Sequence, residues 1–139
     1  MARQFSEVAV GDVLGPVTVS VTRETLLAYA AASLDQNPIH QDEDFATSVG
    51  LPDVIAHGMW TMGATGTVAA DWAGDAGRVL RYGTRFTSMV VVPREGAALE
   101  VSGVVKSLDA ATKQATVELT TTASGAKVLG RCLATVQLD

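Results

Sequence analysis

With 139 residues, 47% of them hydrophobic and 18% charged, the chain is composed as one globular domain, which excludes disorder as its main theme. Ten Lys+Arg against fifteen Asp+Glu give a net charge of -5, and aromatics make up 5%, so a basic, base-stacking nucleic-acid face is excluded. The lone Cys132 cannot form an internal disulfide and no Cys/His cluster has zinc spacing, so neither a metal nor a cofactor is expected.

The N-terminal run MARQFSEVAVGD lacks the apolar stretch of a secretory signal, and the expected location is the cytoplasm. Pro16 to Val21 alternates as a short strand, and Thr22 offers a side-chain oxygen to cap the next helix. Arg23 to Ser33 places Leu26, Leu27, Tyr29 and Ala30 at helical spacing. Pro38 stops that helix, because it disfavours helical geometry at Asn37 and has no amide hydrogen. A short helix follows Asp42 and ends at Gly50. From Val54 to Ala70 there is no Asp, Glu, Lys or Arg. The run is shorter than the roughly 20 apolar residues of a membrane span. It predicts a buried core helix from Gly58 towards Trp72, and no membrane partner.

Beyond Ala76 the period changes to two. Ala115, Val117, Leu119 and Thr121 alternate with polar neighbours, as do Val128, Gly130, Cys132, Ala134, Val136 and Leu138 with theirs. Ala123-Ser124-Gly125 signals a hairpin turn, and Leu108 to Thr112 an earlier one. Helices gathered before an antiparallel meander predict an α+β fold, a curled antiparallel sheet around one long helix. No linker or repeat divides residues 1–139, so a single domain is expected.

Both histidines, His40 and His57, sit beside turn residues. In Ser33-Leu34-Asp35-Gln36-Asn37-Pro38-Ile39-His40, Pro38 breaks the helix between an Asp and a His. The chain can then fold back and turn both side chains into one cavity, as an acid–base pair working near neutral pH. The alternative has Asp35 capping a turn and His40 on the surface. Ala56-His57-Gly58-Met59 opens the predicted core helix, whose first amides are unpaired and carry partial positive charge. Gly58 would let a carbonyl oxygen approach closely; equally, it would allow tight helix entry, with His57 a hydrogen-bonded core residue. Ser33 and Ser88 lack a nucleophile motif, and Cys132 reads as an inert buried thiol. Arg78, Arg81, Arg85 and Arg94 lie between Ala76 and Arg94 with no acid among them. They suit either a phosphate-bearing or acidic partner, or a solvated strand face.

The run YAAASLDQNPIHQDEDFA resembles the hydratase motif of the MaoC-like hot-dog family, and IAHGM resembles that family's helix entry. The form IAHGMWTMG looks most like the catalytic beta subunit of actinobacterial (3R)-hydroxyacyl-ACP dehydratases, which serve type II fatty-acid elongation of very long chains such as mycolic acids. The resemblance implies a hot-dog fold with Asp35 and His40 as the catalytic pair and the Gly58 amide polarising a thioester carbonyl. It also implies substrate contacts from Ser33, Asn37, His57, Trp60 and Arg85. On that pattern His40 removes the C2 proton of a (3R)-3-hydroxyacyl thioester, Asp35 assists departure of the C3 hydroxyl as water, and hydration is the reverse. The substrate would be an acyl-CoA or acyl-carrier-protein thioester. The working unit would be a homodimer, or a heterodimer with a related chain. Many family members carry a Ser five residues after the glycine, where this chain has Gly63. The competing readings are an enoyl-CoA hydratase of fatty-acid degradation or polyhydroxyalkanoate supply, a hot-dog thioesterase, and a non-catalytic acyl-binding subunit. The presence of both Asp35 and His40 speaks against the last.

Overall fold

The computed structural model describes residues 2–139. Helix α1 (Arg23–Ser33) starts at Thr22, whose side chain accepts from the Thr25 amide while Thr25 accepts from the Thr22 amide, a reciprocal cap that satisfies two orphan donors. Helix α2 (Glu43–Ser48) is capped in the same sense by Asp42, and Gly50 beyond it has φ +94°. Helix α3 (Gly58–Ala73) is the long buried one and ends at Gly74 in the left-handed region.

The strands are β1 (Val13–Val21), β2 (Val79–Phe86), β3 (Ala97–Asp109), β4 (Gln114–Ala123), β5 (Ala126–Lys127) and β6 (Leu129–Gln137). All pair antiparallel in the order β1-β3-β4-β6-β2, with β5 a short hairpin arm on β4. The sheet curls around α3, which touches β1, β2, β3, β4 and β6. Small residues make this possible. A Cβ on Gly66 would lie 2.8 Å from the Tyr82 ring, and Ala69 and Ala73 are fully buried. The inward face of β4 is Ala115, Val117, Leu119 and Thr121, as its alternation predicts.

The structure departs from the sequence reading at strand ends. β1 begins at Val13 rather than Pro16, because it is an edge strand where a residue without an amide hydrogen breaks no ladder; the register shifts between Leu14 and Val17. Leu108 and Asp109 belong to β3, paired with Ala115 and Gln114, so the turn falls at residues 110–113. In β6 the alternation is interrupted. Val128 and Leu129 are both buried, and Arg131, at φ +46°, lies where the register against β2 breaks. The meander is also incomplete. Only β3, β4 and β6 follow in order, while β2 lies beyond β6 at the opposite edge from β1. Among the described residues, no helix is long and apolar enough to cross a membrane.

Candidate active site

The segment after α1 is folded almost entirely by its own side chains. Leu34 terminates the helix in the left-handed region at φ 67°, a conformation that costs a non-glycine residue about 1 kcal/mol and reverses the chain. The Asp35 amide then donates to Ser33 Oγ at 3.2 Å, and the Asn37 amide to Asp35 Oδ1 at 3.2 Å. Asn37 Oδ1 accepts from the Ile39 amide and caps a 3-10 turn, Pro38–His40. Ser33 and Asn37 are thus spent on shaping the turn that presents Asp35 and His40. Asp35 is exposed and His40 is 7% exposed.

His40 is fixed from behind. Its Nδ1–H donates to the Ile55 carbonyl at 2.6 Å, which leaves the Nε2 lone pair free. Burial pushes the His40 pKa below its ordinary 6.5, against the pull of the Ile55 hydrogen bond, so the ring is neutral and basic at pH 7. His57 caps the entry to α3. Its Nε2 lies 3.1 Å from the Asp35 carbonyl, and its ring stacks on that of His40 with centroids 3.8 Å apart.

Two cavities flank the first turn of α3. One, of about 420 Å³, is lined by His40, Gly58, Thr61, Phe86 and Met89 among others. The other, of about 560 Å³, is lined by Tyr29, Ser33, Asp35, His57, Met59 and Phe86, with Gly58 between them. Gly58 and Phe86 belong to both walls, so the two cavities adjoin at the helix N-terminus, with His40 in one and Asp35 in the other. As the first helical residue, Gly58 has no intrahelical acceptor for its amide. A Cβ at this position would sit 3.0 Å from the Phe86 ring, so a side chain here requires that ring to give way.

The structure therefore brings Asp35, His40, His57 and Gly58 together. Trp60 is half-buried and packs against the core. Arg85 lies elsewhere, in a polar depression with Thr84, Lys106, Glu118 and Arg131. Of the four arginines that carry the basic signal, Arg78 pairs with Asp139 and Arg94 with Glu43, both at 2.7 Å. Cys132 is buried, which raises its pKa and keeps it a thiol. Thr61, 3% exposed and lining the His40 cavity, escapes sequence reasoning; its position one turn after Gly58 is the only signal for it. An Asp35 oxygen and one nitrogen each of His40 and His57 lie within 4.8 Å of one another. The set suits a metal poorly: the two rings stack with planes 25° apart, so their in-plane lone pairs run nearly parallel rather than converging on one ion.

The profile of the MaoC like domain matches residues 6–125. The chain belongs to the MaoC-like domain family. A solved MaoC-like dehydratase superposes on 99% of this MaoC-like domain and 43% of that chain, with a TM-score of 0.97 and 41% identity. The R-hydratase PhaJ1 from Pseudomonas aeruginosa covers 99% of this chain and 86% of its own, with a TM-score of 0.83 and 26% identity. Enoyl-CoA hydratase ChsH3 of Mycobacterium tuberculosis is 37% identical over 95 residues, 61% of this chain and 33% of that protein. The domain spans 3% to 33% of the length of ChsH3 and the other curated relatives it matches. The fold is the hot-dog fold that its structural relatives share.

Proposed function

We propose that residues 1–139 form one hot-dog domain that acts as a (3R)-3-hydroxyacyl-thioester dehydratase and, in reverse, as an (R)-specific enoyl-thioester hydratase. The observation that carries this reading is the placement of the Asp35 carboxylate and the neutral His40 beside the Gly58 amide, in adjoining cavities. Matched relatives named as an enoyl-CoA hydratase, a 3-hydroxyacyl-thioester dehydratase and an R-hydratase support the reaction class.

In dehydration, the Gly58 amide at the positive end of α3 would accept the charge that develops on the thioester oxygen when C2 is deprotonated. His40 Nε2 takes the C2 proton, and the Asp35 carboxylate holds the C3 hydroxyl. The C3–O bond breaks as the double bond forms, and the hydroxyl leaves with a proton as water. Ser33 and Asn37 act through the turn that carries Asp35. Trp60 shapes the helix face beneath the site.

The natural setting in this reading is type II elongation of long acyl chains on a carrier protein, in partnership with a related hot-dog chain. Met59, Phe86 and Met89, all at the cavity walls, are 59%, 54% and 49% exposed. A second chain laid over them would bury that apolar surface and lengthen the wall for an acyl chain. The test is hydration of a trans-2-enoyl thioester, followed by loss of enoyl absorbance and by chiral analysis of the product, with CoA and carrier-protein substrates of matched length. The expected product is the (R)-3-hydroxyacyl thioester with no free thiol. Release of thiol would replace this reading with a thioesterase.

A further inference from the structure

His57 touches both members of the acid–base pair. Its Nε2–H donates to the Asp35 carbonyl at 3.1 Å, and its ring stacks on His40 at 3.8 Å between centroids. Tyr29 closes another side edge-on at 4.8 Å. The residue is 2% exposed, and its Nδ1 is buried with no hydrogen-bond partner. The Asp35 carbonyl only accepts, so Nε2 carries the proton of the imidazole and the unpartnered Nδ1 carries its lone pair. The titratable groups around His57 are Tyr29 from α1, Asp35 from the loop after it and His40 from the 3-10 turn; Phe86 and Gly58 add no charge.

We propose that His57 is a positioning residue, an Nε2–H tautomer that fixes Asp35 and His40 relative to one another. It grips Asp35 by the backbone carbonyl and makes no bond to the carboxylate. It gives His40 a flat surface to rest on, so that the base is set by two contacts, the Ile55 carbonyl and this ring. The kinetic consequence rests on the dehydratase reading; the tautomer of His57 does not.

The chain has two histidines, so imidazole-nitrogen NMR of the labelled protein resolves both rings without substrate. The expected result is a His57 with its proton on Nε2, hydrogen-bonded, in the folded protein. A His57 whose proton sits on Nδ1 overturns the proposal. In kinetics, His57→Phe retains the stacked ring and loses the donor, whereas His57→Gln restores an amide donor at the Nε2 position. His57→Phe is expected to lower kcat about 10- to 100-fold with KM held within about threefold, and His57→Gln to recover part of it. Full kcat in a folded His57→Phe, or equal losses in both variants, overturns it. A wild type inactive on every enoyl thioester sinks the dehydratase reading and leaves the NMR result standing by itself.

Discussion

His40 Nδ1 lies 2.6 Å from the carbonyl oxygen of Ile55, and this bond decides which imidazole nitrogen faces the cavity. A carbonyl only accepts, so Nδ1 carries the proton and Nε2 the lone pair. Ile55 is itself immobilised. Its amide donates to Ile39 at 3.2 Å, and its neighbours Val54 and Ala56 bond across to Val92 and Val90, both at 2.9 Å. His40 is therefore held by backbone from three segments rather than by a single rotamer choice.

Asp35→Asn and His40→Ala should each lower turnover at least about a hundredfold, the low end for a positioned acid or base. Both variants should stay folded, since Asp35 is exposed and His40 lies at the cavity wall. Steady-state hydration rates with a thermal melt of each variant check this. A folded variant with near-wild-type turnover would remove that residue from the chemistry.

Gly58→Ala should lower kcat, because the new Cβ meets Phe86 ring carbons at 3.0, 3.2 and 3.3 Å and must displace a ring that lines both cavities. Adding Phe86→Leu should return part of the loss, since the amide of residue 58 is untouched by either change. The two effects would then be non-additive, as expected for residues in contact. If kcat is unchanged in the single variant, Gly58 serves helix entry alone.

Glu43 joins Arg94, at 2.7 Å, to Arg23, at 2.9 Å, and Arg23 also reaches Asp53 at 2.8 Å. The Arg94 bond, then the Arg23 bond, hold the Glu43 pKa at about 2 against an ordinary 4.5. A folded value below the unfolded one stabilises the native state above about pH 4.5, and that contribution is lost as pH falls towards about 2. Acid titration followed by circular dichroism should show a shallower loss in Glu43→Gln than in wild type over that window. Parallel curves for the two proteins would mean that the Glu43 bridges add nothing to stability.

Thr65 Oγ1 and Thr121 Oγ1 lie 2.7 Å apart, both fully buried, and bond α3 to β4. Either Thr→Val change alone strands one hydroxyl and should cost about 1–3 kcal/mol. The double variant Thr65→Val/Thr121→Val should cost less than the sum, because no hydroxyl is left unpaired. Denaturant melts of the four proteins measure the coupling, and strict additivity would mean that the hydroxyls act independently.

Helix α1 and the inward face of β4 were legible because burial imposes a period on them, three-to-four spacing over residues 23–33 and two over residues 115–121, while α3 was legible from the uncharged run Val54 to Ala70. The convergence of Asp35 and His40 was open to inference from Pro38. The means of convergence was not, because a leucine in the left-handed region at Leu34 leaves no mark in composition. The reason for Gly58 was half visible. Helix entry could be read locally, but the Phe86 ring that crowds a side chain arrives from 28 residues downstream. The role of His57 was hidden for the same cause. Its partners, Tyr29, Asp35 and His40, lie 17 to 28 residues upstream and meet it only in the folded chain.

The attachments of α3 are unevenly distributed along its length. Thr65, Val68, Ala69 and Ala73 are buried, Thr65 is bonded to the sheet, and Gly66 lies against Tyr82. At the other end, Met59 is 59% exposed and Trp60 only half-buried. The helix is thus bolted down over its later turns, while in its first Gly58 meets Phe86, Trp60 packs on the core and Thr61 is buried, which leaves Met59 as the exposed position. Substitutions at Met59 can reshape a cavity wall while leaving those attachments in place. The shape of that cavity wall and the stability of the fold rest on different residues of one helix, so the former can change while the latter is left alone.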